Sequence, residues 1–566
     1  MDKFDRKFWR RLWALTKPYW VSEERGRALA LLIVLLVIGG GTIALGVWAT
    51  YIVRGLMTAL STKHASAFYR DLFIFLGYVV AVVPVFAYYP YLQGKLGIAW
   101  REWVTRQFLE KSFAGRAFYR INQSGRVDNP DQRIADDINT FTFRTTGFVL
   151  DGMNSMVSAA SYFVVLWLIS RELALVMLAY VAVGTWVTVA IGRRLIKINF
   201  DQERYQADFR FGLVHVRDNA ESIAMYGGEE HEIHQLMRRF ASVVKNFNLL
   251  IFWQRNLGFF TSAYSNLPMV LPYLLLAGAY FAGKIQFGEM SQASIAFGTL
   301  QSSLSLIVNE FQQIADYTAV VNRLALFWEE CNQPEQPASA GLPVVEVETA
   351  PEVAAEALTL MTPDYGRTLI RELSFEVPPE RSLLISGCSG AGKTSLMRAI
   401  AGLWTSGSGR ILRPGLEDIM FLPQRPYMSL GSLREQLCYP AMDANEEELR
   451  RVLKAVNLEN LPERFGGLDA EMDWQSVLSL GEQQRLAFAR LLLRSPRYAF
   501  LDEATSSLDE GNEELLYRHL QRSPITYASV GHRSTLRKYH EQVLELDGEA
   551  GWRMIPNRDY LAIAAG

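Results

Sequence analysis

Apolar residues are spread unevenly along this chain of 566 residues: they gather in residues 29–310, where runs of about 20 residues, long enough to cross a bilayer's hydrocarbon core, recur between basic segments. Six spans can be drawn, at roughly 29–53, 71–93, 146–170, 172–192, 256–282 and 290–310. Ahead of them, "MDKFDRKFWRRLWALTKPYW" places Phe4, Phe8, Leu12 and Leu15 on one helical face and Arg6, Lys7, Arg10 and Arg11 around the other. That pattern predicts a helix lying along the inner membrane surface rather than a cleavable signal. Past residue 332 the pattern changes. "QPEQPASAGLPVVEVETAPEVA" (333–354) has no sustained helical repeat and reads as a linker, and the remainder reads as a soluble α/β domain. The expected organisation is an N-terminal region over 1–28, a six-span membrane domain over 29–332, the linker over 333–354 and the soluble domain over 355–566.

The sixth span carries a second pattern. Ser291, Ser294, Gly298, Gln301, Ser305, Asn309 and Gln312 recur at spacings of three and four, with Ile295, Leu300, Leu304, Ile307 and Phe311 on the remainder and Glu310 near the end. An unpartnered amide is costly in hydrocarbon, so this stripe must face protein or a water-filled cavity. Small residues would let the helix pack closely on a neighbour; the size of Gln301 and Asn309 favours a hydrated cavity shared by two subunits.

Basic residues set the orientation. Lys95, Arg101, Arg106, Lys111, Arg116, Arg120, Arg126 and Arg133 crowd the second loop, and Arg193, Arg194, Lys197, Arg204, Arg210 and Arg217 the fourth, whereas the other loops carry few. Those two loops should be cytoplasmic, with both termini and the soluble domain on the same side. Their helical periodicity predicts arms that project beyond the bilayer. A net charge of −2 offers no field for nucleic acid. The three cysteines, Cys331, Cys388 and Cys438, have no CxxC spacing and indicate neither zinc nor a disulfide framework.

The chemistry lies in the soluble part. Gly387, Gly390, Gly392, Lys393 and Thr394 fit G-x-x-x-x-G-K-[ST] between the strand-like "SLLIS" and the helix-like "TSLMRAIAGLW". There, backbone N–H groups close on phosphates, Lys393 supplies a charge to them and the Thr394 hydroxyl ligates Mg²⁺. Cys388, Ser389, Ala391 and Ser395 complete the nucleotide-binding stretch, Cys388 as a passive filler. "RYAFLDEATSSLD" (497–509) ends a strand in Asp502, which falls near Mg²⁺, and Glu503, which falls near the γ-phosphate to polarise a water. Gln424 in "FLPQRPYM", the run "LSLGEQQRLAFARLLL" (478–493) and His532 after "ITYASV" complete the order.

With these motifs, residues 355–550 resemble the ATP-binding cassette transporters. The resemblance implies ATP as cofactor with Mg²⁺, a fold of an exporter-like helical bundle followed by an α/β phosphate-loop cassette, Glu503 as general base, and catalytic roles for His532, Gln424 and Lys393. It implies Thr394, Gln424 and Asp502 as metal partners, and Ser479, Gly481 and Glu482 as a signature that closes on the nucleotide held by a second cassette, with Ser507–Asp509 linking the two sites. Two positions depart from the family pattern: Leu480 stands where a glycine is usual, and the adenine-stacking aromatic is displaced, Thr362 occupying its place and Tyr365 following three residues late. "WREWVTRQFL", "RVDNPDQRIADDI" and "ADFRFGLVHVRDNAESIAMYGGEE" resemble SbmA/BacA-like transporters fused to a cassette, and more loosely the peroxisomal fatty-acyl transporters of subfamily D. In that resemblance Asn219–Glu230 docks the membrane helices onto a cassette, with Asn129–Arg133 a candidate for the other docking point.

The implied function is that of a homodimeric half-transporter in a bacterial inner membrane, an ATP hydrolase importing a polar small molecule or peptide, or a cobalamin-like compound. Movement of a fatty-acyl or lipid substrate is the alternative, and a non-transporting ATP-sensing scaffold is an alternative of another class.

Overall fold

A computed structural model describes residues 6–305, 311–333, 342–440 and 443–557, apart from the side chains at 193, 196, 311, 312 and 315. Phe4, Ile307, Asn309 and Glu310 therefore lie outside the described residues, as do the side chains of Phe311 and Gln312. The chain divides into two compact units, Met1–Pro337 and Ala338–Gly566.

The first unit is helical: α1 (Arg6–Trp20), α2 (Arg25–Ser61), α3 (Ala65–Phe113), α4 (Ala117–Ser124), α5 (Ile138–Ile169), α6 (Arg171–Asp218), α7 (Ala220–Tyr226), α8 (Glu229–Phe281), α9 (Phe287–Leu304) and α10 (Phe311–Cys331). Among the described residues four stretches are long and apolar enough to span a membrane: Arg25–Ser61, Ala65–Ser124, Pro130–Ile169 and Arg171–Asp218. The fifth expected span, in the second half of α8, and the described part of the sixth, in α9, are helical but more polar. Their polar side chains are answered by neighbouring helices: Gln292 Nε2 donates to Thr50 Oγ1 at 3.1 Å, and the Tyr264 and Ser305 hydroxyls meet at 3.0 Å. Helices α3, α6 and α8 contain 49, 48 and 53 residues. At ~1.5 Å per residue each is roughly 70–80 Å long, more than twice the hydrocarbon thickness, so each projects as an arm.

The outer face of α9 differs from the expected one. Gln301 and Ser305 are 8% and 1% exposed, Ser305 against Tyr264 of α8. Ser291 is buried too, and the exposed side of the helix carries Ile295 and Ser302, with Gly298 and Thr299 half-buried beside them. Ser291, Gln301 and Ser305 of the expected stripe are thus buried within one chain, Ser305 bonded to a neighbouring helix, and Leu300 is buried with them.

The second unit holds a four-stranded sheet, β1 (Glu346–Thr349), β5 (Gly407–Arg413), β2 (Val353–Met361) and β3 (Thr368–Val377) in spatial order. Its six-stranded sheet runs β10 (Trp552–Pro556), β9 (Gln542–Leu546), β4 (Ser382–Gly387), β8 (Thr526–Val530), β7 (Tyr498–Asp502) and β6 (Ile419–Leu422). All of its pairings are parallel except β9 with β10. Strands β4, β7 and β8 are apolar runs because both of their faces are covered, by two separate cores. Helices α11 (Lys393–Ile400), α12 (Leu480–Arg494) and α13 (Glu510–Gln521) pack on this sheet, whose adjacent β4, β8 and β7 end at Gly387, Val530 and Asp502. Their carboxyl ends form the natural site for a ligand.

Candidate nucleotide site

The loop from β4 to α11 owes its shape to glycine. Gly387 has φ +145°, and a Cβ there would collide with the Leu546 carbonyl; Gly392, at φ +94°, opens α11. Between them, exposed Cys388 and Ser389 and buried Ala391 carry the chain to Lys393, and Ser395 sits half-buried in the first turn of the helix. Cys388 Sγ lies 3.8 Å from the Asp547 carbonyl. Lys393 is 6% exposed, and its ammonium donates to the Gly387 and Cys388 carbonyls at 2.9 and 2.8 Å, folded over the loop that the helix N-terminus makes attractive to anions. Burial lowers the Lys393 pKa, opposed by the negative charge of Glu503 and, more weakly, of Asp502.

Thr394 Oγ1 donates to Asp502 Oδ1 at 3.4 Å. Burial raises the Asp502 pKa against this hydrogen bond. A hydroxyl and a carboxylate are the hard oxygen donors Mg²⁺ takes, and that ion completes its shell with water and phosphate. Thr394 and Asp502 would hold it, and it would neutralise charge building on the phosphates.

Next to them, Gln424 Nε2 donates to Glu503 Oε2 at 2.8 Å, and His532 Nε2 lies 3.6 Å from Glu503 Oε1. Glu503 adopts φ +48°, a left-handed conformation costly for a non-glycine residue, and its N–H donates to the Val530 carbonyl at 3.0 Å. Three motifs far apart in the chain thus converge on one carboxylate, each held at the carboxyl edge of the parallel sheet.

The signature segment begins α12 with a reciprocal cap. Ser479 Oγ accepts from the Glu482 N–H at 3.3 Å, while Glu482 Oε2 accepts from the Ser479 N–H at 2.9 Å. Burial raises the Glu482 pKa, but Arg464, paired at 2.6 Å, and the Ser479 donors outweigh it, so the pKa is lowered overall. Glu482 is therefore engaged in capping its own helix. A Cβ on Gly481 would lie 3.2 Å from the Ser507 carbonyl, a close approach that a larger residue would crowd; Leu480 is half-buried beside it. Tyr365 sits at φ +57° in the β2–β3 turn, where its hydroxyl donates to the Pro343 carbonyl at 3.0 Å. The neighbouring Arg367 reaches the Gly548 carbonyl at 3.3 Å, and a Cβ on Gly548 would press on Cys388 Sγ, so this turn approaches the phosphate loop through Gly548.

Three residues outside the expected set hold the site together. Gln484 of α12 is fully buried: its amide donates to the Gln424 carbonyl at 3.0 Å and accepts from the Ser507 N–H at 3.1 Å. Arg533, next to His532, donates to the Leu508 and Ser506 carbonyls at 2.9 and 2.7 Å. Glu513 of α13, 1% exposed, accepts from Thr505, Thr535 and Arg533 at 3.1, 2.5 and 3.3 Å. The available signal was a polar residue on an apolar helical face: Glu513 shares the inward side of α13 with Leu516, Tyr517 and Leu520.

Of the expected docking segments, α7 exposes Met225 and Tyr226 at 76% and 89%. Arg133 in the other segment instead turns inward: it pairs with Asp128 at 2.5 Å and Asp137 at 2.9 Å, and Arg323 of α10 meets Asp137 at 2.6 Å. Burying a guanidinium demands such partners, which removes Arg133 from a docking surface.

Residues 13–281 match the family described as ABC transporter transmembrane region 2, and residues 370–506 the family described as ABC transporter. The chain is 47% identical to an uncharacterized ABC transporter ATP-binding protein of Synechocystis sp., over 93% of this chain and 81% of that one. It is 38% identical to the chloroplastic ABC transporter D family member 2 of Arabidopsis thaliana, over 97% and 88%. With the lysosomal cobalamin transporter ABCD4 of Homo sapiens the figures are 32%, 81% and 82%. The solved structure of a bacterial Atm1-family ABC exporter with ATP bound shares the fold, with a TM-score of 0.76 at 19% identity over 96% of this chain and 97% of that one. The chain therefore belongs to the ABC transporters, with a membrane-embedded helical region of exporter-like fold followed by an ATP-binding cassette, and is of the subfamily D type.

Proposed function

We propose that two copies of this chain form a transporter in a bacterial inner membrane, cassettes and termini in the cytoplasm, in which hydrolysis of Mg²⁺-ATP drives import of a hydrophilic solute such as a peptide or a cobalamin-like compound. The convergence of Gln424 and His532 on Glu503 carries the catalytic part of this reading. In it, Glu503 accepts the proton of the attacking water, Gln424 and His532 orient the carboxylate and the γ-phosphate, and Lys393 neutralises charge on the transferring group. Ser479 and Gly481, at the start of α12, complete the site of the second copy, so hydrolysis requires two cassettes.

The cargo assignment rests on the likeness to a protein named as a cobalamin transporter. Burial of Gln301 and Ser305 favours the second reading, a fatty-acyl or lipid substrate, because it withdraws the polar side chains on which a hydrophilic path was expected to rest. The complete set of Lys393, Asp502, Glu503 and His532 speaks against a scaffold that binds ATP without turnover. Counterflow into proteoliposomes with labelled cobalamin, peptide and fatty-acyl-CoA separates the readings. Solute accumulation abolished by Glu503→Gln is expected; acyl-CoA movement with no cobalamin or peptide flux would replace the first reading with the second. Uptake by inside-out against right-side-out vesicles gives the direction.

A further inference from the structure

Helix α1 has two unlike faces. Phe8, Leu15 and Tyr19 are 2%, 7% and 1% exposed and pack into the first unit's core, Tyr19 stacking on Trp100 with ring centroids 5.4 Å apart. Arg11 reaches from the flank to Glu329 of α10 at 2.9 Å and to Asn322 at 3.2 Å. The apolar face expected to lie in lipid is therefore covered by protein. The opposite stripe, positions 6, 9, 10, 13 and 17, follows the i, i+3, i+4, i+7 spacing and is exposed throughout. It carries Arg6, Trp9, Arg10, Trp13 and Lys17, with Trp9 and Trp13 at 56% and 64% exposure.

Two features indicate what covers this stripe. Helix α1 contains no acidic residue, so Arg6, Arg10 and Lys17 give its exposed stripe a positive charge whose complement is an external anion. The chain also enters the membrane-spanning α2 within a few residues, at Arg25, which keeps α1 at the level of the headgroups. Indoles sit at that depth, apolar ring inward and N–H toward water, while arginine and lysine reach phosphates.

We propose that Arg6, Trp9, Arg10, Trp13 and Lys17 form a binding surface for the anionic phospholipid headgroups of the leaflet that α1 borders, the tryptophans supplying depth and the cations headgroup selectivity. Which leaflet this is rests on the cytoplasmic placement given above; the surface itself does not depend on the cargo or on turnover.

The test uses the full-length protein in detergent micelles titrated with phosphatidylglycerol or phosphatidylcholine, with bound lipid counted by native mass spectrometry. Wild type is expected to retain phosphatidylglycerol preferentially. Arg10→Gln should weaken that retention about fivefold, and Arg6→Gln/Arg10→Gln/Lys17→Gln on the order of a hundredfold, leaving phosphatidylcholine binding unchanged. Trp9→Ala/Trp13→Ala should lower retention of both lipids alike. Unchanged helical circular dichroism and thermal unfolding of each variant in detergent report that the helical unit remains folded, and a misfolded triple variant leaves Arg10→Gln to decide. Unchanged phosphatidylglycerol selectivity in the folded charge variants overturns the proposal, as does loss of self-association in place of lipid, which would make the stripe a contact between copies. Neither readout involves transport, so a failed cargo assignment leaves the result intact.

Discussion

Gln424 donates its amide hydrogen to Glu503 across 2.8 Å, joining the loop after β6 to the carboxylate at the end of β7. Glu503→Gln keeps the shape of the side chain but removes its capacity to take a proton. ATPase turnover of the purified protein should fall about 10²- to 10⁴-fold, with ATP still bound. Turnover within a few-fold of wild type would falsify the base assignment.

Glu513 is the point where three donors from two loops are satisfied at once. Glu513→Ala removes the buried acceptor shared by the partly exposed Arg533 guanidinium and strands the Thr505 and Thr535 hydroxyls. The cassette should lose about 1–3 kcal/mol of stability, read as a lowered urea midpoint at unchanged slope. A shift below about 1 kcal/mol would show that water or a neighbour replaces the carboxylate.

Cysteine scanning of α9 distinguishes the face the structure exposes from the stripe the spacing favours. Cysteines at Thr299 and Ser302 should react with a membrane-impermeant thiol reagent, and cysteines at Gln301 and Ser305 should not, because the latter positions are packed against neighbouring helices. The reverse pattern would restore the polar stripe as the lining of a hydrated path.

His540 is buried behind β8, between the Leu536 carbonyl at 2.7 Å and Ser529 Oγ at 2.8 Å, and burial pushes its pKa down to about 4. The folded state thus prefers the neutral ring, while the unfolded chain takes up a proton near the ordinary histidine value of about 6.5. Stability from this group is present above pH ~6.5 and is lost as the pH falls toward ~4, by about 3 kcal/mol in total. Denaturant unfolding from pH 7 to 4 should show that slope in wild type and a shallower one in His540→Gln; equal slopes would place the acid sensitivity elsewhere.

What the sequence determined by itself is the local chemistry: signals confined to a few neighbouring residues. The glycine spacing specifies a loop that only positive φ allows, and Ser479 with Glu482 three residues on specifies the start of α12. The apolar runs specify helices, and the order of motifs specifies a cassette. Only the tertiary structure decided which side of each helix meets which neighbour. Periodicity marks a stripe on α9 but cannot say whether the stripe meets water or the Tyr264 hydroxyl, since the partner is 41 residues away in the chain. The same holds for α1, whose apolar face turns to Trp100 and leaves arginine and tryptophan outside. Gln484 and Glu513 were hidden for one reason: a buried polar side chain is tolerable only when its donors and acceptors are met, and those partners are brought together by the sheet and helices after folding, not by adjacency in the chain.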